Sequence, residues 1–257
     1  MTMQPLASIL PEHTCLYASF DASCDADRCR GDGKAKLNEA VVRHDPDGGR
    51  FGGAMVFAAA GHGWDEDELL FAARDNFPYG ETAFEGTISL WLCGDPDADL
   101  NDAYPVDPFH ISRHAADGSF YLDLTRPNDW RYGSPRKLRF GIYGDSPAQD
   151  MFVGGQLIVV SDLGFADRGW HHVAATWKNT NSGRADAAAA LYIDGVLRGT
   201  MAGYQHDLSW QIDERTIGLG QRYTGGIDEV LILDAALSAE QVASLYGLNE
   251  PAGELMS

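Results

Sequence analysis

Two stretches decide the fold class of this chain: His172-Val-Ala-Ala-Thr-Trp177 and Ala190-Leu-Tyr-Ile-Asp194, the latter turning through Gly195 into Val196-Leu-Arg-Gly-Thr200. In the first, Val173, Ala175 and Trp177 recur at every second position, the period of a half-buried strand. In the second, Asp194-Gly195 separates two strand patterns. Asp-Gly is a strong hairpin signal there, because a tight turn between strands needs residues that tolerate positive φ.

The same period runs outward in both directions. Gly86-Thr-Ile-Ser-Leu-Trp-Leu92 places Ile88, Leu90 and Leu92 on one face. Ser119–Thr125 turns Phe120, Leu122 and Leu124 inward and leaves Tyr121, Asp123 and Thr125 on the other side. Lys137–Tyr143 turns Leu138, Phe140 and Ile142 inward, with Arg139 and Tyr143 outward. Gly226–Leu233 reads as the last strand, and Leu16–Asp21 as the first. Shorter strand patterns sit at Val41–Val42, Gly53–Phe57 and Leu69–Phe71. One stretch has helical spacing: Ser238 caps it, Gln241 completes a capping box, Leu237, Val242, Leu245 and Tyr246 form its stripe, and Gly247 stops it. About a dozen short strands and one helix predict an all-β, two-sheet antiparallel jelly-roll sandwich with a short C-terminal helix. Residues 1–257 read as one domain, with 1–14 and 248–257 as irregular tails.

Composition agrees with a packed core: 44% of residues are hydrophobic and 22% charged. The net charge of −19 repels polyanions unless a local basic patch overrides it. The densest basic cluster, Arg136, Lys137 and Arg139, looks strand-flanking. Nucleic acid and anionic membranes are therefore disfavoured, and heavily sulfated or uronate-rich glycans less firmly so. No apolar run approaches the ~20 residues of a membrane span, and no basic segment followed by an apolar one opens the chain as a signal peptide would. For Cys15, Cys24, Cys29 and Cys93, free thiols, a Cys24–Cys29 bridge and a zinc site all stand as readings.

Six blocks in order resemble laminin-G-like, concanavalin A-like domains. They are Tyr17-Ala-Ser-Phe-Asp21, Gly86-Thr-Ile-Ser-Leu-Trp91, Gly169-Trp-His-His-Val-Ala-Ala-Thr-Trp177, Leu191-Tyr-Ile-Asp-Gly195, Ile217-Gly-Leu-Gly220 with Gly226-Ile-Asp-Glu-Val-Leu-Ile232, and Ala236–Tyr246. Residues 95–168 match no block. The resemblance implies a jelly-roll whose relatives include sugar-binding modules, glycoside hydrolases, polysaccharide lyases and protein-binding domains, and it implies an extracellular or cell-surface setting. It also implies a structural Ca²⁺ where the first and last strands meet. Asp21 and Asp228 are the expected ligands, with Glu229 as a further acidic contact; hard cations take carboxylate and carbonyl oxygens.

The glucanases on this fold carry alternating Glu-x-Asp-x-Glu strands, and this sequence has none. Asp65-Glu66-Asp67-Glu68 reads either as a solvated loop or as an ion site. Tyr121, Asp123, Arg139 and Tyr143 form either a ligand-binding floor or the ordinary polar face of a sheet. Aromatic residues in the loops include Trp64, Tyr104, Trp210 and Tyr223, and the densest mixture with polar groups is Arg126-Pro-Asn-Asp-Trp-Arg-Tyr132. Trp130 and Tyr132 there are candidates to stack on sugar rings. The expected function is a non-catalytic, lectin-like module binding a neutral glycan and stabilised by Ca²⁺. A polysaccharide-degrading enzyme and a protein-interaction domain remain as alternatives.

Overall fold

The structure is a computed structural model that describes residues 4–58, 68–100, 103–111, 118–144 and 157–256, with Tyr143 described by its backbone alone. Strands β1 (Thr14–Ala18), β2 (Arg28–Cys29), β3 (Lys36–Leu37), β4 (Val42–Asp45), β5 (Ala54–Ala58) and β6 (Leu69–Ala72) come first. Next are β7 (Phe84–Cys93), β8 (Val106–Ile111), β9 (Ser119–Leu124), β10 (Leu138–Tyr143) and β11 (Leu157–Val160). The last five are β12 (Trp170–Thr180), β13 (Ala187–Ile193), β14 (Val196–Tyr204), β15 (Thr216–Gln221) and β16 (Thr224–Leu233). Helices α1 (Leu6–His13), α2 (Pro96–Asp99) and α3 (Ala239–Tyr246) complete the described elements, with 3₁₀ turns at Phe165–Asp167, Ile212–Glu214 and Ala252–Met256.

Two antiparallel sheets form a jelly-roll sandwich. The first runs β14-β13-β12-β7-β16-β1-β2, with β5 also pairing β16 and β4 pairing β5. The second runs β11-β10-β9-β8-β15-β6-β3. Between them lies one apolar core, in which Leu90, Leu92, Val173, Ala175 and Trp177 of the first sheet meet Phe109, Phe120, Leu122, Phe140 and Ile142 of the second. Apart from Phe109, those are the alternating positions legible in the sequence. Asp194 and Gly195 take φ of 49° and 72° at the β13–β14 turn, as the hairpin reading requires. Ser238 and Gln241 form the expected capping box on α3.

The first sheet also buries apolar residues on its outer side. Tyr17, Ala174, Tyr192, Leu231 and Leu233 point away from the sandwich core into a second cluster with Leu6, Ile9 and Leu10 of α1 and Val242 and Leu245 of α3. Within the segments read as irregular tails, Leu6–His13 is helical and Ala252–Met256 forms a 3₁₀ turn. Leu6, Ile9 and Leu10 share one helical face, and Ala252 and Met256 of the 3₁₀ turn pack into the same cluster. The cysteines are four separate thiols, and Cys24 and Cys29 do not bridge. Among the described residues no helix is long and apolar enough to cross a membrane.

Candidate functional site

The outward face of the second sheet carries its chemistry. In the β9–β10 ladder Asp123 stands opposite Arg139, and Tyr121 opposite Gly141. Arg139 donates from Nε to Asp123 Oδ1 at 2.7 Å and from Nη2 to Asp123 Oδ2, a bidentate fork. Asp123 is only 4% exposed and is ion-paired. Burial pushes its carboxyl above the usual range, and the Arg139 guanidinium opposes that shift. The Tyr121 ring lies across the next strand, where a Cβ at Gly141 would collide with its hydroxyl.

Tyr121 is also paired in register with His110 on β8, and His110 with Gly218 on β15. His110 Nε2 lies 2.6 Å from Glu68 Oε2, and both side chains are buried. Gly218 leaves the space they fill, since a Cβ there would collide with His110 Nε2. Glu68, His110, Tyr121, Asp123 and Arg139 thus share one face. Neither His110 nor the role of Glu68 was visible in the sequence. Val106-Asp-Pro-Phe-His-Ile111 does not alternate, and Pro108 argues against a central strand. The structure accommodates that proline with a register shift between Val106 and Phe109. The signal available in advance was Ile217-Gly-Leu-Gly220, whose glycines mark close approach of a neighbouring group.

Beside this face the 126–135 loop folds into a braced platform. Asp129 Oδ1 accepts the backbone N–H groups of Arg131 at 2.8 Å and Tyr132 at 3.1 Å, and Oδ2 accepts Arg126 Nε at 3.2 Å. Partial burial works against ionisation, yet these donors hold the Asp129 carboxyl below the usual range. Ser134 Oγ donates to Asn128 Oδ1 at 2.9 Å and clips the loop base. Arg136 roots it: its guanidinium donates to the carbonyls of Thr125 at 2.6 Å and Leu100 at 2.8 Å. The expected basic cluster is thereby dissolved, because Arg136 is a buried strut and Lys137 is buried too.

Arg126, Asp129, Trp130, Arg131, Tyr132 and Arg139 line a cavity of about 210 Å³, closed at the side by Pro105 and Leu157. Trp130 is 71% exposed at its rim. Two guanidinium groups lie near the Tyr132 ring, with Arg131 Cζ 5.5 Å and Arg139 Cζ 5.7 Å from its centre. The structure thus brings Trp130, Tyr132 and Arg139 together in one pocket, with Asp123 behind Arg139 and Tyr121 along the sheet. The Tyr143 side chain, Trp64 and residues 61–67 of the acidic loop lie outside the described residues. Tyr104 is exposed. Trp210 and Tyr223, read as loop aromatics, are core residues instead: Trp210 Nε1 donates to the Gly118 carbonyl at 3.3 Å and Tyr223 Oη to the Cys93 carbonyl at 3.1 Å.

Asp21 and Asp228 converge on one turn. Asp228 Oδ2 accepts the N–H groups of Arg50 at 2.7 Å and Phe51 at 3.2 Å, and Asp21 Oδ1 accepts that of Gly53 at 3.0 Å. The turn is coiled so tightly that a Cβ at Gly49 would collide with the carbonyl oxygens of Gly53 and Phe51. Burial, and then the charge of Glu229, pushes Asp228 up to about 8. Burial likewise pushes Glu229 up to about 7, against the Tyr17 hydroxyl and the Ala252 N–H that it accepts. Among the described residues no three His, Cys, Asp or Glu side chains are grouped to hold a metal ion. The side-chain donors at this turn are carboxylate oxygens, hard ligands of the class that Ca²⁺ takes.

The family described as Laminin_G_3, concanavalin A-like lectin/glucanases superfamily, matches residues 67–243. No curated protein matches the chain. Among solved structures it is similar to domain 4 of an extracellular arabinanase from Geobacillus stearothermophilus, in complex with arabinotriose, at 15% identity and a TM-score of 0.57. That match covers 91% of this chain and 98% of the arabinanase domain. The chain is also similar to the botulinum neurotoxin serotype D binding domain, at 13% identity and a TM-score of 0.65, over 94% of this chain. A structure of that serotype's ligand binding domain with N-acetylneuraminic acid matches at 14% identity and a TM-score of 0.63, over 94% of this chain. This chain spans 52% of each of those toxin domains.

Proposed function

This chain belongs to the concanavalin A-like lectin/glucanase superfamily, and we propose that it serves there as a carbohydrate-binding module. The observation that carries the reading is the pocket at Trp130, Tyr132 and Arg139: an exposed indole beside an immobilised phenol ring and a fixed guanidinium. Flat aromatic faces suit the apolar side of a sugar ring, and guanidinium donors suit its oxygens. The loop is braced by its own hydrogen bonds, so little ordering opposes binding. The arabinotriose and N-acetylneuraminic acid complexes of the similar structures support the same class of ligand. An extracellular setting agrees with the arabinanase neighbour.

A glycan array read with the purified chain tests this. Trp130→Ala is expected to lose at least tenfold in affinity at unchanged melting temperature, because a truncated interface tryptophan commonly costs ~2 kcal/mol or more. Wild-type affinity in that variant would sink the pocket assignment.

Ca²⁺ belongs to the proposal as a structural ion held by Asp21, Asp228 and the carbonyls of the Gly49–Gly53 turn. It would neutralise the buried Asp228 carboxylate, which burial otherwise drives toward protonation. The expected outcome is a melting temperature lowered by EDTA at pH 8 and restored by Ca²⁺; an unmoved melting curve removes the ion.

One observation favours a second reading, a polysaccharide-degrading enzyme. The buried Glu68–His110 pair beside Tyr121 resembles an oriented base next to a phenol acid. New reducing ends or unsaturated products from a polysaccharide panel, abolished by His110→Asn, would replace the module with the enzyme.

A further inference from the structure

The geometry points to an acidic sugar, one bearing a carboxylate, as the ligand of the Trp130–Tyr132 pocket; this rests on the carbohydrate-binding reading and narrows it. The first ground is charge. The pocket is lined by Arg126, Arg131 and Arg139 against Asp129, with Asp123 behind Arg139. Among the described residues, three guanidinium groups against two carboxylates give a local excess of positive charge in a chain whose net charge is −19. Such a local reversal is selective by construction, since the rest of the surface repels anions.

The second ground is hydrogen-bond capacity. A sugar hydroxyl both donates and accepts, so a pocket for neutral sugars offers carboxylate acceptors as well as donors. Here, among the described residues, the carboxylate acceptors are largely committed. Asp129 takes three N–H groups, and Asp123 takes the Arg139 fork. Donors remain: Arg126 commits only its Nε to Asp129, and the exposed Arg131 guanidinium lies over Tyr132 with no ion pair among the described residues. A donor-rich, acceptor-poor cavity matches a group that only accepts, and the planar fork of arginine matches a carboxylate's two oxygens.

The third ground is size. A cavity of about 210 Å³ lies below the ~300 Å³ at which drug-sized sites begin, and it holds one sugar ring. The surrounding negative charge disfavours a long polyuronate at low salt. The ligand is therefore a single acidic sugar at the end of an otherwise neutral glycan.

The test is a titration with glycans ending in glucuronate, galacturonate or N-acetylneuraminate, each beside its neutral parent and a sulfated counterpart. At least one carboxylate-ended glycan is expected to bind about tenfold or more tighter than its parent, the factor that one charge-assisted hydrogen bond supplies. Arg131→Gln is expected to erase that preference, and Arg131→Lys to retain part of it, both at the wild-type melting temperature, because the side chain is exposed. Equal affinity for acidic and neutral glycans, or preference for the sulfated one alone, overturns the inference and leaves the carbohydrate module standing. Binding to no glycan overturns the module and the inference with it. A preference unchanged by Arg131→Gln removes the pocket as its source.

Discussion

The two sheets present opposite solutions to one geometric problem. Each strand must send alternate side chains away from the sandwich core. The first sheet sends out Tyr17, Ala174, Leu231 and Leu233 and covers them with α1 and α3, which bury them in a second apolar cluster. The second sends out His110, Tyr121, Asp123 and Arg139, pairs the charges, and lets the Asp129-braced loop build a pocket at its edge. Apolar outward residues make a scaffold that tolerates no ligand. Polar outward residues that are already paired make a rigid floor from which one can be recognised.

The comparison can be broken on either side. The largest effect is expected at Asp123→Ala, which leaves Arg139 without its partner beneath the pocket. Removing one member of a buried pair costs about 4 kcal/mol, so urea unfolding should register the loss and glycan binding should fall with it. Leu10→Ala, on the sealed side, should cost about 3 kcal/mol through the cavity it leaves, yet keep glycan affinity intact in the folded fraction. A loss of affinity there would show that the two faces are not independent.

A pH series sharpens the same contrast. His172 points outward from the first sheet, its Nε2 2.8 Å from Ser89 Oγ, with the rings of Trp91 and Tyr246 beside it. Burial lowers it from the ordinary 6.5 to about 4. The unfolded chain thus takes up this proton first. Stability is whole above about 6.5 and is lost as the pH falls toward 4. His172→Gln should flatten that limb of a urea-midpoint profile, and an unchanged slope would mean that water reaches the ring. The smallest effect is expected at Ser238→Ala. Loss of the α3 cap should cost about 1 kcal/mol and loosen only the seal, as hydrogen exchange confined to Ala239–Tyr246 would record.

Much of the scaffold was legible because each of its elements is locally consistent. Val173, Ala175 and Trp177 alternate, Asp194-Gly195 can only turn, and Ser238 with Gln241 caps a helix by itself. The candidate site was half legible. Trp130, Tyr132 and Arg139 stand out as residue types, but the exposure of Trp130 and the burial of Trp210 look alike in a loop-rich sequence. What separates them is the sheet each loop lies against. His110 escaped because Pro108 interrupts the alternation that would have identified β8.

Local chemistry alone determined the strand period, the tight turn, the helix cap and the membership of a sandwich family, because these depend on residues a few positions apart. Tertiary structure decided the rest. It took three arginines from two separate segments of an acidic chain and set them around one cavity, where Asp129 and Asp123 are already committed to their own donors. Charge and hydrogen-bond balance in a pocket depend on which distant groups have already satisfied one another, and that is a property of the folded arrangement rather than of any stretch of the chain.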